Sequence, residues 1–159
     1  MTPTVTDTVA TYPDVLPGTD LELQTFTEGV KETLVLASPD AGNEWVFPLR
    51  LGGLTPRMTD DGSVELVDAG GTVLAWFPHG SMKDAKFDDR SGDMAYSSAV
   101  EMSLTEVDGQ PALKVVADRA WLDDPARVYP VRVDPTITTV DTGDAYADND
   151  SSITASTAT

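Results

Sequence analysis

Large apolar side chains recur at every second position through most of this chain, and a period of two admits little besides β-structure. Leu21 and Leu23 share one face of "LELQTF", and Trp45, Phe47, Leu49 and Leu51 share one face of "EWVFPLRL". Val100, Met102 and Leu104 alternate with polar residues, as do Tyr129, Val131 and Val133. Turn chemistry separates these runs. Asp61-Gly62, Asp68-Ala69-Gly70-Gly71 and Asp108-Gly109 are hairpin signals, and Glu28-Gly29 predicts a tight turn. Pro48 cannot donate to a ladder, which puts its strand at an edge or a bulge. No window of ten residues carries the 3.6 period. The only helical signal is "LDDPAR" (122–127), one turn with Asp123 or Asp124 as cap and Pro125 at the first position. The pattern predicts an all-β fold with almost no helix, an antiparallel β-sandwich or a barrel-like variant of it.

Composition divides the chain into three parts. Residues 1–10 are Thr-rich and read as a linker or loose strand, residues 11–140 as the β-sandwich domain, and residues 141–159 as a linker or the truncated start of a following β module. Asp134-Pro135-Thr136 then ends the last strand and marks the domain boundary. The opening segment lacks the basic-then-apolar order of a signal peptide, and no apolar run reaches membrane-helix length. Cysteine is absent, which removes disulfides and thiolate chemistry.

The charge narrows the partners. Twenty-seven acids against ten bases give −17, so neither nucleic acid nor an anionic membrane surface is expected as a partner, and without a membrane-length apolar run neither is insertion into a membrane. Among catalytic readings, the single His79 could be matched with Ser81 or Ser98 only on paper, because no G-x-S-x-G elbow supports it. A carboxylate pair for glycoside hydrolysis would draw on Glu32 and Glu101. Glu101 alternates outward, whereas Glu32 shares its face with Val30, Leu34 and Leu36. A buried acid of this kind calls for a basic partner, and Lys31 with Glu32 is the candidate structural pair. A Lys31–Asp134 amide cross-link is disfavoured by phase, since both side chains fall on outward faces. No cofactor is expected. Calcium is the one metal with suitable ligands among twenty Asp, with Asp88, Asp89 and Asp93 as candidates. Trp45 and Trp76 alternate with core rows. Trp121 is the aromatic expected to be exposed, with Asp123 and Asp124 beside it as candidate glycan contacts.

Two longer stretches carry a resemblance. The first holds Tyr12, Asp14, Val15, Pro17, Asp20 and Leu21, followed by Lys31 and Glu32. The second holds Trp121 and Leu122, then Arg127, Tyr129, Pro130, Val131, Asp134, Pro135 and Thr136. Together they resemble a region upstream of the repeats in large secreted proteins of Gram-positive bacteria, the wall-associated protein and its YD/RHS-repeat relatives, especially those of actinobacteria. The resemblance implies a secreted or cell-surface location within a longer, toxin-associated chain, other domains of that chain as partners, and no catalytic residue to carry over. The expectation is therefore a structural or adhesive module that is not an enzyme. The alternative is a carbohydrate-binding module acting on cell-wall glycan. In either, Asp20 bonds backbone in a turn.

Overall fold

A computed structural model describes residues 2–27, 29–87 and 94–139. The segment 141–159 and the calcium candidates Asp88, Asp89 and Asp93 lie outside the described residues. The strands marked by the two-residue period are present, and they are joined by others, such as 55–58, 81–87, 94–97 and 137–139, that the period does not mark. They are β1 (Thr4–Thr6), β2 (Val9–Leu16), β3 (Thr19–Phe26), β4 (Gly29–Leu36), β5 (Glu44–Pro48), β6 (Thr55–Met58) and β7 (Val64–Val67). The series continues with β8 (Val73–Phe77), β9 (Ser81–Phe87), β10 (Met94–Ser97), β11 (Val100–Val107), β12 (Gln110–Ala117), β13 (Val131–Asp134) and β14 (Ile137–Thr139). Every pairing among them is antiparallel.

Turn residues set the registers. In the β11–β12 hairpin, Val107 opposes Gln110 across Asp108 and Gly109, whose φ values are 52° and 77°. Positive φ at both central positions matches the right-handed twist of the strands, and Asp-Gly tolerates it. Asp68 closes the β7–β8 turn by accepting from Gly70 N and Thr72 N, each at 2.8 Å. Asp20 does accept from backbone, at Asp14 N (2.9 Å), but across a bulge in β2 rather than within a turn.

The strands form two sheets whose inner faces make one core, so the expected sandwich is what the chain builds. The smaller sheet runs β11-β12-β5, and Pro48 sits on its edge strand, where a missing donor costs nothing. The larger sheet begins β1-β2-β3-β4 and then forks. Leu34–Leu36 of β4 pair with β13, while Gly29 and Val30 at the other end of the same edge pair with β14. One arm continues β13-β9-β10 and the other β14-β8-β7-β6. Phe47, Val100, Met102, Leu113 and Val115 of the small sheet meet Leu34, Leu36, Phe77, Met82, Val131 and Val133 of the large one, all buried. Truncating a core aromatic such as Phe77 to Ala costs about 3–5 kcal/mol. Gly80 links β8 to β9 where the sheets touch. A Cβ there would lie 2.6 Å from Val100 Cγ1, inside any real contact, so only glycine fits.

Two local expectations need correction. Asp134-Pro135-Thr136 does not end the domain. It is the pivot of the fork, and the chain re-enters the same sheet as β14. Asp134 Oδ1 accepts from Thr136 N at 3.1 Å and from the Thr136 hydroxyl, a side-chain closure that re-aims the chain without a ladder bond from Pro135. Residues 4–6 pair with β2 as a strand, the second of the two readings of residues 1–10. The helix is α1 (Arg119–Leu122), six residues before the expected first position at Pro125, because Asp118 is its cap and accepts from Ala120 N at 3.1 Å. Asp124 does cap at Pro125-Ala126 as expected, accepting from Ala126 N (2.8 Å), but what it caps is a turn and not a helix.

Candidate functional site

On the outer face of the larger sheet, β3, β4, β13, β9 and β10 lie side by side and border a groove of about 490 Å³. Strand alternation selects its lining. Leu21, Leu34, Met82, Val131 and Val133 turn into the core, so Glu22, Lys31, Arg132, Asp134, Lys83 and Tyr96 turn out. Among the described residues, the groove is lined by three bases and two acids, the reverse of the overall excess of acids. Both acids are engaged. Arg132 grips both carboxylate oxygens of Glu22, one at 3.2 Å, and Lys31 Nζ lies 2.6 Å from Asp134 Oδ2. Lys83 makes no ion pair with a described residue. It opposes Arg132 on β13 and Tyr96 on β10, and Tyr96 is 65% exposed.

The expected Lys31–Glu32 pair does not form. Neighbours on a strand point to opposite faces, so Lys31 bonds Asp134 outside while Glu32 enters the core. Phase placed Lys31 and Asp134 on the outward face correctly. What it could not supply was their adjacency across β4 and β13, and the contact is an ion pair. Glu32 is 4% exposed, opposes Leu23, and has no cation beside it among the described residues. Burial alone pushes its carboxyl up from 4.5 to about 7. It lies level with the fork, since Leu34 opposes Val133 and Val30 opposes Ile137.

Trp121 is not a free sugar platform. It packs against the core, and the Arg127 guanidinium stacks 4.3 Å from its ring centre. Arg127 in turn bonds Asp84, which is buried and also accepts from Val128 N (3.2 Å) and Lys86 N (3.0 Å). Asp123 and Asp124 are exposed and pair with Arg119 (2.9 Å) and Arg127 (3.9 Å). The Tyr129 hydroxyl donates to Leu122 O at 3.0 Å, and burial raises its pKa. This Asp84–Arg127–Trp121 fastening escaped the sequence reading. An Asp in the middle of a strand-like run, out of phase with solvent, was the available signal.

The remaining candidates are also dispersed. His79 Nδ1 bonds Gly80 O at 2.9 Å and the ring packs by Gly62, with no serine as partner among the described residues. Glu101 is exposed. Trp45 is buried as expected, but Trp76 is 37% exposed, because Ala75 and Phe77 take the inner positions of β8. Trp76 borders a second hollow of about 320 Å³ with Asp60, Asp61 and Glu65. There the Thr59 hydroxyl and Ser63 N hold the Asp61 carboxyl below its usual range. No three His, Asp or Glu side chains gather to hold a metal among the described residues. No helix there is long and apolar enough to cross a membrane.

Three proteins of Bacillus are similar to this chain, each 40% identical over 124 residues, or 78% of it. They are the tRNA(Glu)-specific nuclease WapA of Bacillus subtilis subsp. natto, the tRNA3(Ser)-specific nuclease WapA of Bacillus spizizenii and the tRNA nuclease WapA of Bacillus subtilis strain 168. The chain spans about 5% of the length of these relatives. No protein-family model matches the chain, and no solved structure matches it.

These relatives correct the functional expectations. The similarity is to tRNA nucleases of Bacillus, in place of a region upstream of YD/RHS repeats in actinobacteria. A structural, adhesive or glycan-binding role with no enzyme activity gives way to relatives that are enzymes by name, and the exclusion of nucleic acid to relatives named for cutting tRNA. The physical reason for the miss is one of scale. Net charge and missing motifs describe 159 residues, whereas the named activity belongs to proteins about twenty times longer than the matched segment.

Proposed function

We propose that this chain is a domain of a tRNA nuclease of the WapA kind, secreted or held at the cell surface, and that within it the domain handles the RNA strand without choosing among tRNAs. The carrying observation is the 40% identity over 78% of the chain. Relatives named for tRNA(Glu) and for tRNA3(Ser) match with the same identity over the same number of residues, which supports placing the choice of tRNA in what they do not share with this chain. The charge of −17 is compatible with this role. Exposed charges beyond about 8 Å are screened at physiological ionic strength, so a groove is governed by its own residues. No residue of the domain is assigned the bond-breaking step: Glu32, the carboxyl raised to about 7, faces the core rather than the groove.

The test is cleavage of total tRNA by the full natural protein in which this chain occurs, read on denaturing gels, with and without residues 2–139. The expected result is cleavage by the full protein, weakened when the domain is removed and with the same tRNA preference. Intact tRNA after incubation with the full protein overturns the reading.

A further inference from the structure

We propose that the groove across β4, β13, β9 and β10 is a binding site for single-stranded RNA, with a backbone phosphate at Lys83 and a base stacked on Tyr96. The proposal rests on the tRNA-nuclease reading and names the surface on which this domain would meet its substrate.

The geometry comes from register. Tyr96 opposes Lys83, and Lys83 opposes Arg132, so the three side chains form one row across three strands. Directly opposed side chains stand about 5 Å apart, which makes the row about 10 Å long. Lys83 and Arg132 are like charges placed directly opposite, an arrangement that disfavours the sheet unless an anion lies between or beside them. Arg132 is partly relieved by leaning to Glu22. Lys83 has no such relief from a described residue. The two described groove carboxylates are already neutralised by Arg132 and Lys31, so three bases less two acids leave the described lining at +1 in a chain of −17. Tyr96 presents its ring to solvent at the edge of this cation row, on the outer strand of the arm. A cation beside an open aromatic is the unit by which single-stranded nucleic acid is held. Every base has a π-face, so such a site tolerates all sequences, in keeping with relatives that differ in the tRNA named.

The experiment is fluorescence anisotropy of a short fluorescein-labelled oligoribonucleotide titrated with the 159-residue chain at low and rising salt. Binding is expected, with log affinity falling against log salt at a slope of roughly −1, as for one or two phosphates on a single strand. Lys83→Glu is expected to weaken binding at least tenfold. Tyr96→Ala is expected to weaken it by roughly five- to a hundredfold, from the usual stacking contribution of one base. Trp76→Ala, on the other arm of the sheet, should bind like the parent. All three positions are exposed enough for the variants to fold, which circular dichroism verifies. Absence of binding at the lowest salt overturns the site, as does binding untouched by both Lys83→Glu and Tyr96→Ala, or equally reduced by Trp76→Ala. Cleavage by the full protein with no binding by this chain removes the groove and leaves the nuclease reading standing. Binding here with no cleavage by the full protein does the reverse.

Discussion

Glu32→Gln should make this domain more stable at neutral and alkaline pH. Glu32 is buried between Leu23 and the fork of the large sheet with no cation beside it among the described residues, and its carboxyl is raised from 4.5 to about 7. Each tenfold change in proton affinity corresponds to about 1.4 kcal/mol, so the ionised side chain costs the folded state about 3 kcal/mol. Below 4.5 the carboxyl is protonated in both folded and unfolded chains and contributes no pH dependence. Between 4.5 and about 7 the folded chain keeps a proton that the unfolded chain has released, so stability falls as pH rises. Above about 7 the whole cost is present. Gln keeps the shape and never ionises. The assay is urea unfolding followed by tryptophan fluorescence from pH 4 to pH 9 for both proteins. At pH 4 their difference measures only what the amide itself costs in the core. By pH 8 the difference should have moved in favour of Gln by about 3 kcal/mol, or about 6–12 °C in Tm for a chain of this size. A difference that stays flat across this range would refute the reasoning, because it would mean that Glu32 is solvated or paired.

The Asp84–Arg127 pair is the buried ionic contact among the described residues, so Arg127→Ala should cost about 3 kcal/mol by leaving the Asp84 carboxylate without its cation; chemical denaturation measures it, with iodide quenching of Trp121 rising as its cover is removed. The Lys31–Asp134 pair is half-exposed on both sides, and Asp134→Asn should cost less than about 1 kcal/mol, less still at high salt, with the intact mass of the parent equal to the sequence value and no water lost. Gly109→Ala forces a side chain into φ 77° and should cost roughly 1 kcal/mol, seen as a lower Tm without change in the circular dichroism spectrum.

Local chemistry in the sequence determined many of the strands, several of the hairpin turns and the face that most of their side chains take. Alternation sets a side chain's face within one strand, and Asp-Gly sets a turn within two residues, so neither depends on distant chain. That is why the inward positions of Trp45, Phe47, Val100, Val131 and Val133 and the outward ones of Lys31 and Asp134 were legible. Where a single strand gave conflicting cues, as for Trp76 on β8, the face was misread. Pairing between strands far apart in sequence is a different matter. It decided that Lys31 meets Asp134 rather than Glu32, that Arg127 reaches back to Asp84, and that Lys83, Arg132 and Tyr96 share a row. It also turned Asp134-Pro135-Thr136 from a terminus into the pivot where one edge of β4 serves two strands. A period of two says which way a side chain points but not which strand lies beside it. The groove, the buried carboxyl and the forked sheet are all consequences of neighbours that only the tertiary structure assigns.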